Sequence, residues 1–511
     1  MKKHFIYPLI SLSLVSLFAV GHDNGTNLYN TKISTNCRVF DKRAGGKDVL
    51  RIYNSEDYIL LDEDTNTSPL IEEFEELYNC EVIYECFDTN ENMLSKIKLG
   101  AANYDLVCTS EYTVQRMVED NLIIPFDEES TPTYDAYASK FLIDKLASIE
   151  VNGKTNVIDT YARGYMWGTL GYLYNPNYVG FNDEIRETIH EDMNNWDSLW
   201  SDKYESSFYL KDSIRDTYAL GVMHAFKDEF EEQEKLYNDG ELTEEEYNKN
   251  ITEIFNRCDQ DSADKVFSAL SDLKANGAAF EIDEGKIDMI KGYIGVDLAW
   301  SGDAIYAMYE ASEQDVTLYY QAPELAANIW FDAWVMPQGA NKDLASKFVD
   351  FMSDPERAVE NSDYIGYISF IAGDALVDYI LENYDVTDDD TIPEEDKFER
   401  DISYLFEGTL EEYTLDDCVF MIDEEFTSFD ASFPKLDQIP HLCIMRDFGQ
   451  NLPIITAGWE KFRGNSNSLW AYIVFSSVVA LGFGALIIVP IKRKVEVKNR
   501  KKRRAERSSG N

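Results

Sequence analysis

A regular alternation of short apolar strands and amphipathic helices between residues 49 and 109 constrains the fold more than any other feature of the sequence. Three strands are predicted, at 49–54, 81–86 and 104–109. Ser68 is a typical helix cap and Pro69 a typical first helical residue, so one helix is predicted after Ser68 and a second at 93–99. This β-α-β-α-β order indicates a doubly wound α/β domain with a parallel sheet.

The charge of the chain narrows the choice of ligand. The sequence has 46 Lys and Arg against 95 Asp and Glu, a formal net charge of −49. Residues 492–511 hold 10 basic and 2 acidic residues, so residues 1–491 hold 36 basic and 93 acidic residues, a charge of −57. A body this acidic repels nucleic acid, because phosphate binding depends on Lys and Arg that displace counterions. Nucleic acid is therefore excluded as a partner, and a cationic ligand is favoured.

Both ends of the chain carry segments typical of export and membrane attachment. Residues 1–21 combine two lysines, an apolar run and a small-residue exit, which is the pattern of a secretory signal peptide. The polar residues 22–47 predict a linker. Residues 469–491 are 23 residues without a charge, roughly 34 Å as a helix and long enough to span a bilayer as a transmembrane helix. The basic residues 492–511 then predict a cytoplasmic tail, with the bulk of the chain on the outer side of the cell membrane.

Clusters of aromatic and acidic side chains follow several predicted strands. Ligands of doubly wound sheets bind beyond the carboxyl ends of the strands, where these clusters lie. An organic diammonium or triammonium ion needs ring faces for its polarised methylenes and nitrogens, and carboxylates for its charges. Taken alone, each cluster can also be explained without a ligand, as an aromatic residue of the core next to an acidic residue on the surface. The clusters are Glu56 with Tyr58, Ser110-Glu111-Tyr112, Trp300 with Asp303, and Trp330 with Asp332.

The sequence has no motif typical of catalysis or of cofactor binding. The five histidines are scattered, and no HExxH, GxSxG, Walker or GxGxxG motif occurs. Residues 62–73 imitate a calcium loop but have Thr67 at the sixth position, where such loops need glycine. We therefore expect no metal, no cofactor and no enzyme activity. Since acid pairs arise by chance among 95 acidic residues, a surface-anchored hydrolase that uses such a pair stays open as an alternative.

Several segments resemble one family, in the same order along the chain. Residues 164–168, Gly-Tyr-Met-Trp-Gly, are similar to the Pro-Tyr-x-Trp-Gly crossover of that family, and residues 195–200 are similar to its Ser-Trp-x-x-Leu-Trp segment. The other matching segments are 49–59, 104–117, 212–216 and 330–337. Over about residues 48–375 the chain resembles the periplasmic spermidine/putrescine-binding proteins of polyamine ABC transporters, which are type II solute-binding proteins.

The resemblance implies an α/β fold of two lobes with crossovers near Gly168 and Asp332. The expected segments are lobe 1 at 48–168 and 332–380, and lobe 2 at 169–331 and 381–464. Within lobe 2 the highly charged stretch 226–262 predicts a solvated helical hairpin, because Thr243 and Glu246 form a capping box. The expected architecture is thus a two-lobed type II binding-protein fold followed by a C-terminal transmembrane helix.

By the same resemblance the chain binds a polyamine, spermidine or putrescine, between its lobes and delivers it to the permease of an ABC transporter. A binding protein for another solute is the closer alternative. Asp332 and Asp216 would pair with the ammonium groups, and Ser110 would add a polar contact. The aromatic box would consist of Tyr58, Tyr112, Trp300 and Trp330.

The sequence departs from the family pattern at several of these positions. Ser55 stands where the family has tryptophan, which removes one ring face, and the next residue, Glu56, supplies a candidate extra carboxylate. Ser213 replaces an acidic residue, and Asp216 is shorter than the family's glutamate. Cation binding is therefore expected, while the choice of polyamine and the carboxylate that holds each end stay open.

Overall fold

The computed structural model describes residues 48–464, apart from residues 63, 101, 102, 283, 388 and 390. The predicted signal peptide, linker, membrane span and basic tail (1–21, 22–47, 469–491 and 492–511) lie outside this part. Among the described residues no helix is long and apolar enough to cross a membrane.

The strands are as follows, in chain order: β1 Val49–Ser55, β2 Glu81–Phe87, β3 Leu106–Ser110, β4 Ile123–Ile124, β5 Ala162–Tyr174, β6 Phe208–Lys211, β7 Ala279–Glu281, β8 Val296–Trp300, β9 Tyr319–Gln321, β10 Asn328–Pro337, β11 Ile368–Ser369, β12 Lys397–Asp401, β13 Val419–Asp423 and β14 Cys443–Ile444.

The α-helices are as follows: α1 Pro69–Tyr78, α2 Asn90–Lys98, α3 Glu111–Glu119, α4 Pro132–Tyr137, α5 Lys140–Ala147, α6 Ile158–Tyr161, α7 Asp183–Asp192, α8 Ile214–Ala225, α9 Lys227–Asn238, α10 Glu244–Phe255, α11 Gln260–Ala275, α12 Glu284–Ile290, α13 Ser301–Ser312, α14 Lys342–Met352, α15 Pro355–Ile365, α16 Asp374–Asn383, α17 Thr427–Ser432 and α18 Leu452–Arg463.

The predicted β-α-β-α-β start is present, and β1 pairs in parallel with both β2 and β3. Helix α1 begins where the sequence indicates, with the Ser68 hydroxyl accepting from the amide of Ile71 at 3.4 Å. Phe74 on this helix is fully buried. The apolar spacing of this helix predicts one buried face, formed by Leu70, Ile71, Phe74, Leu77 and Tyr78. Leu77 is instead 61% exposed, because the helix presents only a narrow stripe to the sheet.

Two parallel groups of strands are joined through two long antiparallel ones. The sheet order is β2-β1-β3-β10-β5-β8-β6-β7, in which β6 is parallel to β7 and β8. Strand β5 pairs with β10 up to Thr169 and with β8 from Leu170 onwards. One continuous strand thus connects both groups, and this is the predicted two-lobed α/β arrangement. The largest cluster of buried apolar side chains contains Val107 of the first group and Val296 of the second, and another cluster, with Leu50 and Ile52, packs around the first group.

The charged stretch after α8 does form a helical hairpin, α9 and α10, with its predicted capping box. It differs from the predicted solvated hairpin because one face is packed. Tyr247 and Ile251 are fully buried, and the Asn248 side chain donates to the carbonyls of Pro440 and Leu442 at 3.0 and 2.8 Å. The apolar residues of α10 are spaced at helical intervals and therefore cover part of the C-terminal segment.

Candidate functional site

One cavity of about 2180 Å³ is lined by the loops after β1 and β3 and by those after β6 and β8. These are the carboxyl ends of the parallel strands, the expected position for a ligand in such sheets. All eight residues singled out in the sequence line it: Glu56, Tyr58, Ser110, Tyr112, Asp216, Trp300, Trp330 and Asp332.

Asp332 is held by two neutral hydroxyl groups. The register of β10 against β3 sets it opposite Ser110, whose hydroxyl donates to Oδ1 at 2.7 Å. The phenol of Tyr58 donates to Oδ2 at 2.7 Å. Burial raises the pKa of Asp332, against the lowering effect of these two hydrogen bonds, and the charge of Asp216 raises it further. In the described part of the chain no protein cation forms an ion pair with Asp332, so its charge has no partner there.

Rings surround this carboxylate. Tyr367 lies edge-on to both Tyr58 and Trp330, with ring centroids 5.0 and 5.7 Å away. The indole of Trp330 donates to the carbonyl of Thr169 at 3.1 Å, which fixes the ring on β5. Tyr367 was missed in the sequence. The sequence shows only that Tyr367 follows Gly366, a glycine typical of a helix C-terminus, and in the structure Gly366 ends α15 with φ 77°.

Asn90, at the start of α2, was also missed. Its amide donates to the hydroxyls of Ser110 at 2.9 Å and of Tyr112 at 3.2 Å. The hydroxyl of Thr109 in turn donates to its Oδ1 at 2.6 Å. Asn90 therefore orients two of the expected ligand contacts, Ser110 and Tyr112, from behind. No pattern in the sequence distinguishes this asparagine from an ordinary residue of the first helical turn.

Asp216 and Trp300 form the opposite wall of the cavity. Asp216 lies in the first turn of α8, where the Ser213 hydroxyl accepts from its amide at 3.4 Å. The indole of Trp300 donates to Asp216 Oδ1 at 3.2 Å. Like Asp332, Asp216 forms no ion pair within the described residues, so a second carboxylate faces the cavity without a protein cation.

Glu56 lies at the exposed rim of the same cavity. Partial burial raises its pKa, and the neighbouring charges of Asp57 and Asp88 raise it further. Three acids close together at one rim create a negative local potential, which favours the entry of a cation.

Two buried basic residues also line the cavity, and sequence reasoning gave neither of them a role. The guanidinium of Arg215 lies between the rings of Tyr112 and Phe448, at 5.6 and 4.1 Å from their centroids. The ammonium of Lys211 lies 4.4 Å from the centroid of Trp300. Lysine and arginine are rarely fully buried unless they are paired. Lys211 forms ion pairs with Glu281 and Asp303, and the guanidinium of Arg215 donates to Asn256 Oδ1 at 3.2 Å.

Glu111 lies directly behind Asp332 and is fully buried. The amide of Phe331 donates to its Oε2 at 3.0 Å. Burial raises its pKa to about 8, since the backbone hydrogen bonds from Phe331 and from its own amide do not offset the loss of solvent. At neutral pH this pKa favours the protonated, uncharged form of Glu111. In the sequence, Glu111 is noticed only as the middle residue of the Ser110-Glu111-Tyr112 cluster.

The C-terminal segment closes one side of the cavity, which sequence reasoning did not foresee. Side chains in or directly after α16, α17 and α18 line it, among them Tyr384, Phe433 and Trp459. In the described residues no three His, Cys, Asp or Glu side chains are arranged to hold a metal ion. What the cavity offers is unpaired carboxylates between aromatic rings, an arrangement suited to an organic cation.

Comparison with known proteins gives the family. Residues 69–386 match the profile of the bacterial extracellular solute-binding proteins. A spermidine/putrescine-binding periplasmic protein of Salmonella typhimurium is 24% identical over 328 residues, 63% of this chain and 78% of the relative. A putrescine-binding periplasmic protein of Escherichia coli is 25% identical over 336 residues, with the same two shares.

Solved structures show the same fold. A spermidine/putrescine ABC transporter substrate-binding protein of Streptococcus pneumoniae aligns with a TM-score of 0.51 and 25% identity, covering 81% of this chain and 98% of that one. A lipoprotein of Treponema pallidum aligns with a TM-score of 0.53 and 17% identity, covering 81% and 99%. At that identity the second alignment supports the fold alone.

Proposed function

Because this chain belongs to the family of bacterial extracellular solute-binding proteins, we propose that its cavity captures a polyamine of the spermidine and putrescine class. The bound polyamine is then delivered to the permease of an ABC importer. The two periplasmic relatives bind ligands of this class by name, and each aligns over 78% of its length.

The observation that carries the proposal is the environment of Asp332. Its two oxygens accept from the neutral hydroxyls of Tyr58 and Ser110, and the rings of Trp330 and Tyr367 lie beside it. A buried carboxylate that is left without a cation is unfavourable, and its raised pKa reflects that cost. An ammonium ion would supply both the missing charge and hydrogen-bond donors, while its methylene groups pack on the rings.

Capture proceeds by closure of the two lobes over the ligand. Closure removes water from the ammonium groups, so the carboxylates must replace the lost hydration. Asp332 on one wall and Asp216 on the other are suited to hold the two ends, since Asp332 lies on β10 beside β3 and Asp216 lies in the first turn of α8, after β6. A ligand with one charge would leave one carboxylate unpaired, and we expect it to bind more weakly.

Calorimetric titration of the full chain with putrescine, spermidine and a neutral disaccharide tests the proposal. We expect saturable binding of at least one amine with one molecule per chain, and no heat with the sugar. Absence of binding with both amines would refute it. Binding of the sugar instead would favour the alternative of another solute.

Membrane attachment is a further part of the proposal and depends on the sequence alone. Residues 469–491 would anchor the chain, with 492–511 in the cytoplasm and the binding lobes outside. Fractionation of cells should place the full chain with membranes and a chain ending at residue 464 in the soluble extracytoplasmic fraction. Recovery of the full chain in the soluble fraction would refute the anchor.

The relatives that match are named as binding proteins, which supports a role without catalysis. The hydrolase alternative needs an ionised and a protonated carboxyl on either side of a scissile bond. Glu111, whose pKa burial raises to about 8, is a candidate acid, but it is fully buried and its hydrogen-bond partner is a backbone amide. The geometry therefore favours binding over turnover.

A further inference from the structure

The ammonium of Lys211 lies inside the wall of the cavity and is held on several sides. It forms ion pairs with Glu281 at 2.7 Å and with Asp303 at 3.4 Å. It also donates to the carbonyl of Ile282 at 3.0 Å. The Lys211 side chain is 1% exposed. Because these partners come from a strand, a loop and a helix, the charge is fixed in position.

The same ammonium lies over a ring that sequence reasoning assigned to the ligand. Its nitrogen is 4.4 Å from the centroid of Trp300, a distance typical of a cation–π contact. The nearby carboxylate is engaged as well, because Asp303 also pairs with Lys286 at 3.2 Å and accepts from Tyr367 at 3.0 Å. The Trp300 and Asp303 cluster, which the sequence offers as a cation site, therefore already contains a cation of the protein.

Two carboxylates of the cavity walls, Asp332 and Asp216, form no ion pair with a cation of the described residues and so stay open to a ligand. Asp332 is bonded to neutral hydroxyls, and Asp216 to the indole nitrogen of Trp300. Asp216 thus lies at the edge of the ring whose face Lys211 occupies. A ligand that reaches from Asp332 to Asp216 ends beside Trp300, and any further ammonium beyond that end would approach a fixed positive charge.

We propose that Lys211 determines ligand length, by occupying the place of a third ammonium group so that the cavity selects diamines over triamines. This inference rests on the proposed function and adds the specificity within the class. Like charges in a partly desolvated cavity repel strongly, because the low effective dielectric weakens screening. A diamine can pair with Asp332 and Asp216 and avoids this repulsion, whereas a third ammonium placed beyond Asp216 would meet the charge of Lys211.

The test compares dissociation constants for putrescine and spermidine by calorimetry on the full chain. We expect the native chain to bind putrescine at least tenfold more tightly than spermidine. Lys211→Met removes the charge but keeps an unbranched side chain, and it should reduce this preference at least tenfold. Lys211→Arg keeps the charge and should keep the preference. Lys203→Met is the matched control, because Lys203 pairs with Asp192 at 2.7 Å outside the cavity.

Lys211→Met leaves Glu281 buried without its cation, which could prevent folding. The double variant Lys211→Met with Glu281→Gln removes both charges and gives the same comparison. The inference is overturned if the native chain binds spermidine as tightly as putrescine, or if the folded variant retains the native preference. If the native chain binds neither amine, the proposed function itself fails, and this result is distinct from the first two.

Discussion

Asp332 is the residue on which polyamine binding depends most directly. Asparagine at this position has nearly the same shape and can still accept from Tyr58 or Ser110. We expect Asp332→Asn to weaken polyamine binding by about 1.5–3 kcal/mol, the scale of a hydrogen bond to a charged group. Calorimetry measures the change in affinity, and thermal unfolding verifies that the fold is kept.

Asp183→Asn is the control for that substitution, because it removes a carboxylate from the exposed first turn of α7, away from the cavity. Its affinity should equal that of the native chain. If both variants bind as the native chain does, Asp332 is not a ligand contact.

Glu111 provides a prediction about pH. Its pKa in the folded chain is about 8, raised by burial from an ordinary 4.5. Between these two values the folded state holds a proton that the unfolded state has released, so the free energy of unfolding falls as pH rises. One such group contributes a slope of at most about 1.4 kcal/mol per pH unit. Glu111→Gln should remove this contribution, and its stability relative to the native chain should increase from pH 5 to pH 8.

Chemical denaturation at several pH values measures this difference. Glu187→Gln, on the exposed side of α7, is the matched control and should follow the native curve. A constant difference between Glu111→Gln and the native chain across this range would mean that Glu111 is ionised in the folded protein.

Some of the side chains that line the site could be predicted from the sequence, and others could not. Those at strand ends could be found because the sequence marks where a strand stops, as with Glu56 and Ser110. Asn90 and Lys211 could not, since their roles depend on which neighbours they meet. A lysine at the end of a strand usually extends into solvent, and nothing local indicates that Lys211 meets Glu281 from a distant strand.

At the level of elements, β5 and β10 meet where Trp330 crosses Gly168. These two residues are paired in the register, and a Cβ at Gly168 would lie 2.6 Å from the Trp330 ring and 2.3 Å from the Ser301 hydroxyl. Gly168→Ala should therefore displace the ring. We expect it to destabilise the fold by about 1–3 kcal/mol and to weaken polyamine binding. Denaturant unfolding and calorimetry measure the two effects.

Gly240→Ala separates loss of stability from loss of binding. Gly240 lies between α9 and α10 with φ 73°, where alanine is strained, and no atom contacts a Cβ there. We expect a stability loss of roughly 1 kcal/mol with unchanged affinity. If Gly168→Ala keeps the native affinity as well, the position of the Trp330 ring does not matter for binding.

The first elements of the chain were predictable because each is determined locally. Helix α1 has its serine cap and proline, and β1 to β3 are apolar runs between turns. The cavity wall from α16 to α18 was not predictable, because only the tertiary fold brings its aromatic rings, which lie far along the chain, to the site. Similarly, the charge of α10 predicted exposure, while its buried face depends on the segment around Pro440. The predicted lobe boundaries near residues 168 and 332 stay a prediction, although β5 changes partner at residues 169–170.

At the scale of the whole molecule, the net charge of −49 should govern how quickly a polyamine is captured. A negative field raises the local concentration of cations and can speed association by about 10- to 1000-fold. The Debye length falls from about 30 Å at 0.01 M salt to about 8 Å at 0.15 M, so most of this field is screened at the higher concentration. We expect the association rate constant for putrescine to fall at least about tenfold between these salt concentrations, as measured by stopped-flow tryptophan fluorescence.

The dissociation rate should respond much less to salt, because contacts inside the closed cavity are shielded from ions. Asp332→Asn supplies the complementary case. It removes one carboxylate among 95 acidic residues, so the salt dependence of its association rate should stay near the native value. Its loss of affinity should instead appear as faster dissociation, since a buried contact chiefly determines how long the ligand stays. An association rate that does not change with salt would show that the acidic surface plays no part in capture and that the site alone attracts the ligand.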